Sequence, residues 1–110
     1  MRKITNDVEF EAVFAESSPV ILDFYAGWCG PCKALLPVLE AVSEEHQEVL
    51  IAKINVDDNP ELAARFNVRS IPSVFFIKDR AVVDQFVGIQ SKAEIVNKIT
   101  HLIAVKEGSK

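Results

Sequence analysis

The sequence predicts an α/β layered domain with a mixed β-sheet. Short apolar runs of strand length alternate with segments of helical period through the first two thirds of the chain, the pattern of strands joined by crossover helices. In the last third, two such runs are separated by a polar connection too short for a crossover, so this pair is expected to fold back as an antiparallel hairpin. With 110 residues, 49% of them hydrophobic, the chain is expected to form one domain, residues 1–110, and to bury a substantial core without staples.

Each element has a local reason. Asn6 stands three residues before Glu9, an N-cap with its reciprocal acid, and opens a first helix from about Asp7 to Glu16. Ser17-Ser18-Pro19 ends it. Val20-Ile21-Leu22-Asp23-Phe24-Tyr25 is apolar on both alternating faces and reads as a strand covered on both sides. From Cys32 to about His46, Leu35, Leu36, Leu39 and Val42 recur at helical spacing, and Pro37, which removes a backbone donor there, is expected to kink the helix. Val49 to Val56 is a second buried strand, after which Asp57-Asp58-Asn59-Pro60 turns the chain into a short helix, Glu61 to Phe66. Ile71 to Ile77 and Val82 to Val87 are the hairpin strands, joined by Lys78-Asp79-Arg80-Ala81. Ser91 and Glu94 form a capping box for the last helix, whose Ile95, Ile99, Leu102 and Ile103 line one face; Lys106 to Lys110 reads as a frayed tail.

Composition narrows the function classes. A net charge of -4, with lysines and arginines scattered among acids, leaves no footprint for nucleic acid and favours protein partners. The first ten residues lack an apolar h-region and no run approaches the length of a membrane helix, so a cytoplasmic location is expected; the chain is also expected to be a monomer.

Both cysteines fall in Trp28-Cys29-Gly30-Pro31-Cys32, where a strand gives way to a helix. Two thiols two residues apart can close a small disulfide ring and read first as a reversible dithiol/disulfide couple. Half a zinc site is an alternative, but the remaining N/S candidates, His46 and His101, stand alone in separate helical segments. An inert structural disulfide suits a secreted domain short of core, unlike this one. Asp23 and Lys53 are each the single charge of an apolar strand. A lone Asp in such a run costs several kcal/mol unless paired or protonated, which leaves either a buried structural ion pair or a carboxyl that moves a proton.

Asp23-Phe24-Tyr25-Ala26, the Trp28 to Lys33 segment, Pro37, Ala52 to Asp57, Ile71-Pro72 and Val87-Gly88 together resemble the thioredoxin family over essentially the whole chain. The resemblance implies a central mixed sheet with helices on both faces, a short first strand near Lys3 to Thr5, no cofactor, disulfide-containing protein substrates and a thioredoxin reductase as electron source. Cys29, at the mouth of the helix, faces its unpaired N–H groups and is assigned the nucleophilic attack. Cys32, which the resemblance makes the less exposed thiol, resolves the mixed disulfide. Gly30 and Pro31 let the turn pass closely, start the helix and thereby set the redox poise. The resemblance further implies that Asp23 accepts the Cys32 proton with Lys53 tuning it, that Pro72 is cis, that the Ile71 backbone pairs with an extended substrate, and that Gly88 lets the substrate approach a rim of Trp28, Ile71 and Ile89. An oxidase or isomerase and a scaffold with idle thiols are the rival readings. Tyr25, Gly27, Asn67, Ser70 and Arg80 depart from residues common at these positions in the family, and Arg80 occupies a hairpin position expected to have positive φ.

Overall fold

The computed structural model describes residues 1–15 and 19–105. Its elements are β1 (Arg2–Ile4), α1 (Asp7–Phe14), β2 (Val20–Tyr25), α2 (Gly30–Glu45), β3 (Leu50–Asn55), α3 (Pro60–Arg65), β4 (Ser73–Lys78), β5 (Ala81–Val87) and α4 (Lys92–Ala104). The strands form one sheet in the order β1-β3-β2-β4-β5. β1, β3 and β2 run parallel, while β4 is antiparallel to both β2 and β5. The mixed sheet follows from the connections: helices carry the chain between the parallel strands, and two residues return it from β4 to β5.

Alternation along β2 sends Ile21, Asp23 and Tyr25 to one face and Val20, Leu22 and Phe24 to the other. On the first face Ile21 and Ile51 join Leu35, Leu39 and Val42 of α2 and Ile95, Ile99 and Leu102 of α4. On the second, Leu22, Phe24 and Ile54 pack with Phe10 and Val13 of α1 and Leu62 of α3. Phe75 and Phe76, adjacent in β4, divide between the two cores in the same way. Ile103 is exposed, so only Ile95, Ile99 and Leu102 form the buried stripe of α4.

The local signals act as expected, with instructive differences. Asn6 Oδ1 accepts from Glu9 N at 2.8 Å, but Glu9 returns its carboxylate to Thr5 N at 2.7 Å rather than to the cap itself. The Ser91–Glu94 capping box is complete. Pro37 lies inside α2 without ending it. The strand before the hairpin starts at Ser73, so Ile71 and Pro72 precede it. Glu16, Ser17, Ser18 and the tail Lys106 to Lys110 lie outside the described residues.

Asp79 and Arg80 occupy the two-residue turn with φ of 52° and 67°, the left-handed pair a type I′ hairpin requires. The Arg80 guanidinium lies 5.1 Å from the Phe14 ring centroid and 3.5 Å from Glu11 Oε1. Relieving the side-chain clash at positive φ is worth about 1 kcal/mol, against about 0.5 kcal/mol for an exposed cation–π contact. Arg80→Gly is therefore expected to stabilise the fold by about 0.5 kcal/mol, read as a higher denaturant midpoint. A lower midpoint would mean that the Phe14 and Glu11 contacts outweigh the turn strain.

Candidate active site

The parallel strands β2 and β3 end on the same side of the sheet, and the loops that follow them meet there with the one before β4 and the one after β5. Cys29 is the N-cap of α2, with extended backbone, and its Sγ accepts the Cys32 N–H at 3.1 Å. Cys29 and Cys32 are joined in a disulfide with Cα atoms 5.3 Å apart. Pro31 supplies no N–H in the first turn, so Cys32 provides the donor that reaches the sulfur. A Cβ added to Gly30 would meet nothing within 4 Å. The expected close passage of chain at Gly30 is thus absent.

Residue exposure does not separate the two thiols, contrary to expectation: Cys29 is 3% and Cys32 4% exposed. Their neighbours do. Cys29 Sγ lies 3.9 Å from the Ile71 carbonyl oxygen, in the loop before β4. Cys32 instead lines a pocket of about 100 Å³ together with Asp23, Tyr25, Gly27, Lys33 and Lys53. That volume has room for water.

Asp23 is 1% exposed, and its Oδ1 has no hydrogen-bonding protein partner. Burial pushes its carboxyl up to about 7, and the nearby Lys53 pulls it down only in part. Asp23 and Lys53 are Cα partners across β2 and β3, yet the Lys53 ammonium lies over the Tyr25 ring, 5.6 Å from its centroid. A contact ion pair between them does not form, so the structural-pair alternative finds no support in this geometry.

The Ile71–Pro72 bond is cis. Among the described residues the Ile71 backbone makes no hydrogen bond to another backbone group, whereas Pro72 O accepts from Gly88 N at 2.9 Å. Gly88 has a φ of 88°, and a Cβ there would meet nothing within 4 Å. Its glycine is explained by backbone conformation, which side chains adopt at a cost, rather than by crowding in the fold. Trp28 is 71% and Ile89 57% exposed, and half-buried Ile71 packs against Ala26, Cys29 and Cys32.

One partner escaped the sequence reading: Trp28 Nε1 donates to Asp57 Oδ2 at 2.9 Å, which orients the indole beside Cys29. Asp57 follows β3 and Trp28 follows β2, so only the parallel pairing of those strands joins them. The Tyr25–Lys53 contact was missed for the same reason. His46 pairs with Glu48 at 3.3 Å, away from the sulfur atoms' contacts.

A family model described as Thioredoxin matches residues 2–101. The chain belongs to the thioredoxin family. It is 46% identical over 100 residues to a thioredoxin of Haemophilus influenzae, covering 89% of this chain and 94% of that one. A bifunctional thioredoxin reductase/thioredoxin of Mycobacterium leprae is 37% identical over 102 residues, which span 92% of this chain and 22% of that protein. Among solved structures, Fasciola hepatica thioredoxin superposes with a TM-score of 0.85 at 36% identity, covering 92% of this chain and 98% of the other. A mutant thioredoxin of Halobacterium salinarum gives 0.88 at 32% identity, with coverage of 96% and 93%. The sheet and helices described above are the thioredoxin fold. With the Cys29–Cys32 disulfide at the family's motif, the protein is a thiol-disulfide oxidoreductase acting on disulfide substrates. No described helix is long and apolar enough to cross a membrane.

Proposed function

We propose that the protein is a single-domain, cytoplasmic, monomeric reductase of protein disulfides, needing no cofactor of its own and recharged by a thioredoxin reductase. The carrying observation is a disulfide in which the Cys29 sulfur caps a helix while Cys32 lines a pocket with an unpaired buried carboxyl. In the reduced protein the Cys29 thiolate is stabilised by the Cys32 N–H and the positive end of α2. It attacks one sulfur of the substrate disulfide; that S–S bond breaks, a mixed disulfide forms and one substrate thiolate leaves. Cys32 passes its proton through the pocket to Asp23, and its thiolate attacks the Cys29 sulfur. The second substrate thiolate departs as the Cys29–Cys32 bond forms, so two electrons have moved to the substrate.

The Ile71 backbone groups, which have no backbone partner among the described residues, support pairing with an extended substrate segment, as in strand addition, and the exposed Trp28 and Ile89 offer apolar surface to it, with Gly88 letting it approach. The bifunctional relative, which carries both names in one chain, supports a reductase as electron donor. Reduction of insulin, followed as turbidity with NADPH and a thioredoxin reductase and separately with dithiothreitol, tests the reading. A folded protein that left insulin intact in the dithiothreitol assay would instead be a scaffold with idle thiols.

The poise of the couple follows from the donors at the helix start. Pro31→His restores an N–H in the first turn of α2 and adds partial positive charge beside the Cys29 sulfur, so the thiolate form gains stability. The variant is expected to be more oxidising by about 30 mV or more, equivalent to about 1.4 kcal/mol, in equilibrium with glutathione. An unchanged equilibrium would place the control of poise outside the dipeptide.

A further inference from the structure

Asp23 and Lys53 leave adjacent strands at paired positions and line the same pocket behind Cys32. Neighbouring strands lie about 4.8 Å apart, well within the reach of a lysine. The ammonium nonetheless lies over the face of Tyr25, and Asp23 Oδ1 is left without a partner. The cation therefore has two competing acceptors in one pocket, a ring face and a carboxylate, and in this structure the ring holds it.

We propose that Tyr25 is a positioning residue: its ring face holds the Lys53 ammonium away from Asp23 and keeps that carboxyl free to exchange a proton with Cys32. A contact ion pair would tie the carboxylate up as a weak base; an ammonium held at the ring lowers the cost of ionising Asp23 without neutralising it. The charged and titratable groups facing Asp23 are Lys53 from β3, Cys32 and Lys33 from α2 and Tyr25 from β2 itself, while β4 sets Val74 opposite it. Lys3, the partner of Lys53 on β1, is exposed one strand further away. In the disulfide form Cys32 does not titrate, which leaves Asp23 to be followed by itself.

The proposal deepens the reading of Asp23 as proton acceptor and rests on it for its catalytic meaning, but its test reads the carboxyl directly. Carbon-13 NMR of the Asp23 carboxyl in the oxidised full chain is followed against pH. Tyr25→Leu is expected to lower the titration midpoint by about one pH unit or more, as the freed ammonium closes on the carboxylate, and Tyr25→Phe to leave it in place. Tyr25→Met, closer in length to the ring, is measured alongside in case Leu loosens the fold. In a Lys53→Met background, neither Leu nor Met at position 25 should move the midpoint. An equal shift with and without Lys53 would overturn the proposal, showing that the ring acts by excluding water, and so would no shift in the presence of Lys53. Failure of Asp23 as proton acceptor would appear separately, in the kinetics of Asp23→Asn.

Discussion

Cys32→Ser is expected to accumulate a stable mixed disulfide with substrate on Cys29, whereas Cys29→Ser forms no adduct and both lose insulin reduction to background. The asymmetry follows from the contacts of the two sulfurs. Cys29 Sγ sits at the N-cap, takes the Cys32 N–H and lies on the side of Ile71, while Cys32 lines the pocket with Asp23. Both variants should remain folded: serine is a good N-cap, and a bridge between residues three apart closes a loop worth about 2 kcal/mol. Mass spectrometry after incubation with a mixed-disulfide probe checks the adducts. Equal trapping through Cys32 would reverse the proposed division of labour.

Asp23→Asn is expected to raise stability at neutral pH while slowing resolution of the mixed disulfide. The folded carboxyl titrates at about 7, against 3.8 for an unperturbed group, because burial penalises its charge. Between those values the folded state holds a proton that the unfolded state has released. The group's stabilising contribution is therefore complete below the unfolded value and is lost as pH rises through the folded one. At about 1.4 kcal/mol per pH unit the loss is on the order of 4 kcal/mol. Asparagine removes that slope but leaves a buried amide to satisfy, at about 1–3 kcal/mol, so a gain of about 2 kcal/mol above pH 7 is expected. Denaturation midpoints of the two proteins should diverge from about pH 4 to pH 7. Loss of the proton acceptor should slow Cys32 attack by about 10- to 100-fold, at the low end of general-base effects because a thiol ionises readily in water. A variant less stable and equally fast would make Asp23 a structural residue alone.

Much of the fold was legible because its causes are local. β2 was read with its observed bounds, Val20–Tyr25, since an unbroken apolar run marks a strand covered on both faces. The Ser91 capping box likewise marked the start of α4, because its hydrogen bonds link residues three apart. The positive φ of Arg80 matches the expectation drawn from the glycine that the resembled family often has at this hairpin position. Boundaries failed where tertiary contacts set them. Ile71 and Pro72 look like strand residues, but the cis bond precedes β4 and leaves Ile71 facing the disulfide. Ile103 has an apolar side chain at an apparently buried spacing, yet α4 turns it outward.

At the site, the reacting groups were legible from the sequence: two thiols in register with a helix start, a lone acid and a lone base in apolar strands, and a proline before the hairpin. These depend on residue type and spacing along one stretch of chain. Tertiary structure decided which groups act on one another. The parallel pairing of β2 with β3 brings Trp28 to Asp57 and Asp23 beside Lys53, and packing then gives the ammonium to Tyr25 rather than to the carboxylate. Coulombic and aromatic attractions of a flexible lysine both depend on distances of a few ångströms, which strand register and side-chain packing set and linear spacing does not.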